Sequence, residues 1–220
     1  MARHVAWSIG GPRMTPASSP SAAALRRRSQ IIRATIAVIA DVGYARCSFA
    51  EIADRGGLSS TRLISYHFDD RDALMRAVAS TIVDDLAVAV TAAMRRATSP
   101  RDAVHAYLRA NVAFADTHRP EVISLAALLF AGRLPADGSD VDATQQTIAS
   151  LIAAGVEEGE FRGVDPVIAA DVLQRTVEGV FLRLHRAPDA DLSDLGDGLV
   201  AFFDSGLGTT DHDRVARESS

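Results

Sequence analysis

The side chains best suited to chemistry crowd into one short stretch. Ser59, Ser60, Thr61, Arg62 and Ser65 are followed at once by Tyr66 and His67, and then by Arg71. Short polar side chains near the start of a helix can approach base edges. An arginine among them can fork onto a guanine, worth about 1–3 kcal/mol of discrimination. Arg71, at the start of the next helix, can meet a phosphate oxygen. Ser48 precedes an apolar helical segment, where free amides favour an anion. Arg26, Arg27 and Arg28 form a basic run able to lie along a backbone or enter a minor groove. Together these residues suit the recognition of a polyanion.

The elements that must position them follow from spacing. Ile32, Ile36, Ile39 and Ala40 recur at helical intervals, and Gly43 stands where a left-handed C-terminal residue is needed. Ser48 and Glu51 have capping-box spacing and open a helix over 49–55, which Gly56 and Gly57 break. Ser59 or Ser60 can cap a further short helix through about His67, which makes a helix-turn-helix. Asp69, three residues before Asp72, is expected to cap a long helix over about 70–97. Ser99-Pro100 and Asp165-Pro166 mark two more starts, and Pro120, Val141 and Asp191 or Ser193 lie near others. No alternating strand pattern and no internal repeat is present. The expected architecture is all-α with about nine helices. Residues 1–24 read as a disordered basic arm, 25–71 as a helix-turn-helix head, 72–208 as a helical body and 209–220 as a flexible tail.

Charge separates head from body. The chain carries −5 overall, yet residues 1–71 hold ten arginines against five acids, and residues 72–220 hold thirteen against 23. A basic head on an acidic body suits a head that meets a polyanion. All 23 basic residues are arginine, in the body as well as the head, which reads mainly as compositional bias.

Other classes fit poorly. The single cysteine, Cys47, excludes a disulfide framework and a multi-thiolate zinc site, and reads as a buried small apolar residue. The six histidines (4, 67, 105, 118, 185 and 212) show no metal-ligand spacing, and no glycine-rich phosphate loop is present. Glu157, Glu158 and Glu160 read as a solvated helix end. No enzyme, metal or cofactor is expected. No apolar run approaches the roughly 20 residues that span a bilayer, and the N-terminal stretch lacks a signal-like apolar core. A cytoplasmic protein without membrane contact is the expectation.

The stretch IIRATIAVIADVGYARCSFAEIADRGGLS, residues 31–59, together with Tyr66-His67-Phe68, Arg71 and Leu74, resembles the DNA-binding head of the TetR family of transcriptional repressors. The likeness covers about 50 residues. Downstream, GEFRGVDP at 159–166 resembles a turn before that family's penultimate helix. Departures fall in helix three and at the start of the next helix. One extra residue separates Ser59 from Phe68, Thr61 or Arg62 replaces a usual glycine, and Arg71 replaces a usual lysine.

The resemblance implies a homodimer that binds a palindromic operator in double-stranded DNA, a small-molecule effector held in the body, and repression as the default. Tyr66 and His67 match the family's phosphate-binding pair. For the site of that effector, expected to be small and largely apolar, the candidates are Phe114, His118, Leu128, Gln145, Ile148, Arg175, Glu178 and Phe181. For the dimer face, formed by the last two helices, they are Val172, Val180, Leu184, Leu195, Leu199, Phe202 and Phe203. The alternative is an effector-binding or interaction protein that has lost sequence-specific DNA binding.

Overall fold

The computed structural model describes residues 21–133, 139–162 and 164–207. The expectations for residues 1–20, the loop at 134–138 and the tail from 209 lie outside them. Among the described residues the chain forms nine α-helices and one 3₁₀ turn.

Local chemistry sets most helix ends. Helix α1, Ala22–Val42, starts earlier than the expected boundary at 24, because Ser21 accepts from the Ala24 amide and three alanines follow. Gly43 ends it at φ +82°. After a 3₁₀ turn at Tyr44–Arg46, Ser48 caps α2, Phe49–Arg55, by accepting from the Glu51 amide. Gly57, at φ +59°, then turns the chain into α3, Arg62–His67.

Helix α3 departs from expectation at its start. Thr61 takes the cap position with helical backbone angles, and no side chain bonds the first-turn amides. Ser59 and Ser60 therefore precede the helix without capping it. Helix α4, Arg71–Met94, is capped by Asp70, whose carboxylate accepts from the Ala73 amide. Asp70 takes the part expected of Asp69 because it is the residue that adjoins the first helical one.

The body holds α5 (Pro100–Thr117), α6 (Arg119–Phe130), α7 (Ser139–Glu157), α8 (Pro166–Arg186) and α9 (Leu195–Leu207). Ser99 and Asp165 cap α5 and α8 as their spacing predicts. Asp191 instead accepts from the Ser193 amide in the loop before α9.

Packing ties the head to the body more closely than the sequence suggests. One buried cluster joins α1 (Ile31, Ile39), α2 (Ile52), α3 (Ile64) and α4 (Leu74, Ile82) to Leu125, Ala127 and Leu128 of α6. A body helix thus completes the head's core. A second cluster joins α4, α5, α7, α8 and α9, and a third joins α5, α6 and α8. Phe181 of α8 packs against all three.

Helix α4 corrects one expectation: by length and composition it is apolar enough to cross a membrane. Its Leu74, Val78, Ile82 and Val90 are buried in the protein's own core, however. It also carries exposed Asp84 and Asp85, which are costly within a bilayer.

Candidate nucleic-acid interface

The polar residues of the 59–66 stretch share one exposed face. Ser59, Ser60, Thr61, Arg62, Ser65 and Tyr66 are all exposed, while Ile64 is wholly buried and Leu63 half-buried. Tyr66 is 81% exposed, its ring edge-on to half-buried His67 at 5.1 Å between centroids. A phenol left in water on a small helix, beside an arginine and four hydroxyls, is placed to meet a solvated partner. Ser48 is exposed and spends its hydroxyl on the Glu51 amide at 3.2 Å.

The basic residues divide into two sets. Arg26 and Arg27 are exposed on the first turns of α1, and Arg27 Nη1 donates to Gln30 Oε1 at 2.7 Å. Arg28 is turned inward. Its Nη1 donates to the His67 carbonyl at 2.9 Å, and its guanidinium lies 4.1 Å over the Phe68 ring. Arg71 is exposed but stacks on Tyr44 at 4.6 Å and donates to the Tyr44 carbonyl at 2.8 Å. Two residues expected to hold phosphate therefore bind the protein itself.

Cys47 is 2% exposed, and burial pushes its thiol up to about 11, with Arg71 partly opposing. At neutral pH it is a thiol packed in the head.

The eight effector candidates do not converge. Leu128 belongs to the core shared with the head, Phe114 to the cluster of α5, α6 and α8, and Ile148 to the cluster around α7. His118 is exposed and stacks on Phe114 at 4.2 Å. Gln145 is half-buried. Arg175 is exposed and pairs with Asp171 at 3.4 Å and Glu178 at 2.5 Å. Phe181 alone reaches several clusters.

The structure instead shows a polar line inside the body. Buried Tyr107 donates to Gln174 Oε1 at 2.9 Å, and Gln174 Nε2 donates to half-buried Glu178 at 3.3 Å. Asn111, 4% exposed, donates to the Tyr107 carbonyl at 2.9 Å. Burial, with the Glu178 charge, pushes the Tyr107 hydroxyl up to about 12. Asn111 was detectable in the sequence: it stands four residues after Tyr107 on the apolar stripe of α5.

The dimer candidates also separate. Val180, Leu184 and Phe203 are 5%, 0% and 7% exposed within one chain, so they belong chiefly to its core. Leu195 and Leu199 are half-buried. Val172 and Phe202 are exposed; Val172 lines a largely apolar groove with Val164, Asp165, Ile168, Ala169, Phe203 and Leu207.

A three-helix head with a buried core and a polar, basic third helix on its surface, set on a helical body, is a helix-turn-helix arrangement. Residues 31–78 match the family described as bacterial regulatory proteins, tetR family. The chain is 41% identical over 88 residues to the HTH-type transcriptional regulator BetI 1 of Chromohalobacter salexigens, covering 39% of this chain and 42% of that protein. It is 39% identical over 93 residues to the regulator BetI of Burkholderia mallei, covering 41% and 46%. These matches span less than half the length of either relative. The fold as a whole is that of solved TetR-like structures. Against the ketosteroid regulator KstR2 of Mycobacterium tuberculosis the TM-score is 0.68 at 16% identity, over 84% of this chain and 96% of that one. Against AibR in complex with isovaleryl coenzyme A and operator DNA it is 0.66 at 20% identity, over 80% and 97%. Residues 31–78 thus match a tetR-family head, and the whole chain shares the fold of TetR-like structures.

Proposed function

We propose that the protein is a cytoplasmic, ligand-responsive repressor that binds a palindromic operator as a homodimer. The observation that carries this is the exposed face of α3, where Arg62, Ser65 and Tyr66 stand clear of a fully buried Ile64. Such a face is what a recognition helix presents to a major groove. Exposed Arg26 and Arg27 on the neighbouring helix supply charge for the phosphate backbone.

Dimerisation draws support from α8 and α9. Ile168, Val172 and Phe202 are 65%, 47% and 69% exposed, and the first two line the apolar groove. Gly179 and Gly198 lie within these helices, and a methyl group added at either would meet no atom within 4 Å. A glycine inside a helix costs about 1 kcal/mol relative to alanine. Among the described residues nothing would meet a side chain at either, which supports close approach by a second copy's helices.

The neighbouring structure of AibR holds both an acyl coenzyme A and operator DNA. By analogy, a small, largely apolar effector in the body of this chain releases DNA. Phe181 and the line Tyr107, Gln174 and Glu178 are its nearest candidates for contact. A coupling of 1–3 kcal/mol, typical of such switches at about 5–150-fold, must act equally in both directions.

The deciding experiment is selection of bound sequences from random duplexes. A palindrome with half-sites about one helical turn apart supports the reading. No enrichment, with binding insensitive to salt, would leave an effector-binding protein that has lost DNA recognition.

A further inference from the structure

Helix α3 has too little of its own to hold its orientation. Six residues are far fewer than an isolated helix needs to persist in water. It has no side-chain cap, and its deep anchors are Ile64 and the adjoining Phe68, at 0% and 3% exposure. Something else must fix the angle at which Arg62 and Ser65 are offered.

Two residues of α1 grip the segment at both ends. At the far end, Arg28 donates to the His67 carbonyl, one of the last carbonyls of α3, which no amide of that helix reaches. The same guanidinium covers the ring of Phe68, the residue that ends the helix. A cation at a helix C-terminus is also favoured by the helix dipole. At the near end, Gln30 Nε2 donates to the carbonyl of Gly56, where α2 stops, at 2.7 Å. Arg27 holds the other atom of that amide, Gln30 Oε1. Arg28 and Gln30 thus span 39 and 26 residues to clasp the turn and α3 between them.

We infer that Arg28 and Gln30 are positioning residues that set the angle of the recognition helix, and so the sequence preference of the head, without touching DNA. The inference rests on the reading of the head as a DNA reader. Geometry shows why preference is the quantity at stake. Helix α3 is about 9 Å long at 1.5 Å per residue. A tilt of about 10° at its C-terminal end moves its first residue by roughly 1.5 Å, which breaks a base-edge hydrogen bond confined to 2.7–3.2 Å. Charge attraction to phosphates, which is long-ranged, survives such a shift.

The test compares the selected duplex with a scrambled duplex of the same length, across a salt series. Arg28→Met is expected to weaken the selected duplex about tenfold while the scrambled duplex keeps its affinity and its salt slope. Arg26→Gln, on an exposed arginine, is the contrast: it flattens both slopes by about one. If Arg28→Met flattens the scrambled slope by about one, Arg28 is a phosphate contact and the inference is overturned. Unchanged affinity for both duplexes overturns it equally. Should Arg28→Met fail to fold by circular dichroism, Gln30→Leu carries the same test, with loss of preference at constant salt slope expected and constant preference overturning it. Failure of the underlying reading shows separately, in wild-type protein that enriches no duplex.

Discussion

The Ser124 hydroxyl of α6 donates to the Ile36 carbonyl of α1 at 3.0 Å, both residues buried, across 88 positions of sequence. It is a bond between body and head that does not pass through α4. Ile36 lies inside α1, so the hydroxyl takes a carbonyl's second lone pair. Ser124→Ala is expected to lower the unfolding free energy by about 1 kcal/mol, read by urea denaturation. Thr147→Ala, which removes an exposed hydroxyl bonded within its own helix, should stay within about 0.5 kcal/mol. Equal effects would show that the bond contributes nothing specific.

Adjacent phenylalanines of α9 should respond in opposite ways. Phe202→Glu places a carboxylate on the proposed seam and is expected to give folded monomers by light scattering. Phe203→Glu drives a charge into the core, which is far more costly, and should abolish cooperative unfolding. A dimeric Phe202→Glu would remove α9 from the interface.

Arg62 and Arg26 should divide affinity from preference. Arg62→Ala is expected to relax the selected consensus at one position per half-site, a loss of about 1–3 kcal/mol in discrimination. Arg26→Ala should weaken all duplexes alike and reduce the salt slope by about one. Repeating the selection with each variant distinguishes the two. An unchanged consensus for Arg62→Ala would place base reading on Ser65 or Tyr66 instead.

Alkaline pH should unfold the protein in a defined window. The Cys47 thiol is raised from 9.0 to about 11 and the Tyr107 hydroxyl from 10.0 to about 12 in the folded chain. Both groups are neutral when protonated, so the folded state holds these protons to higher pH than the unfolded state does. Their contribution is complete below pH 9 and declines as pH rises through 9–11 and then 10–12. Two units correspond to about 2–3 kcal/mol for each group. Cys47→Ala should remove the earlier part of the decline, read as unfolding free energy against pH.

Gly155 is constrained by a neighbour. A methyl group there would lie 2.4 Å from the ring of Phe161, which is 1% exposed. Gly155→Ala should cost about 1–3 kcal/mol as an overpacked site. Gly155→Ala combined with Phe161→Leu should cost less than the sum of the two single changes, because the smaller side chain leaves room. Additive costs would show that Phe161 is not the obstacle.

The legible parts of this fold are the short-range ones. Ser48, Ser99 and Asp165 each cap the helix that follows by accepting from an amide two or three residues on, so their sequence neighbours suffice to identify them. The exposed face of α3 follows from the spacing around Ile64. What eluded the sequence depends on distant partners. Nothing near Leu128 shows that it completes the core of the head. Arg28 looks like its neighbours Arg26 and Arg27 until His67 and Phe68 fold onto it. Periodicity cannot choose between Phe202 and Phe203, because a helix that packs on its own chain and also faces outward has apolar residues on two sides. Tyr107 and Gln174 lie 67 residues apart and meet only when α5 and α8 cross.

Gly179 and Gly198, two unobstructed glycines inside α8 and α9, would tie folding to abundance in the proposed dimer. Alanine at Gly179 or Gly198 would make the lone subunit more stable by about 1 kcal/mol at each site. In the proposed homodimer the chain is instead weakest when dilute and gains stability by mass action as copies meet. Its melting temperature should climb with protein concentration. A cell holding few copies would then hold a larger unfolded, protease-sensitive fraction, so that supply and turnover of the regulator adjust to one another without any further component.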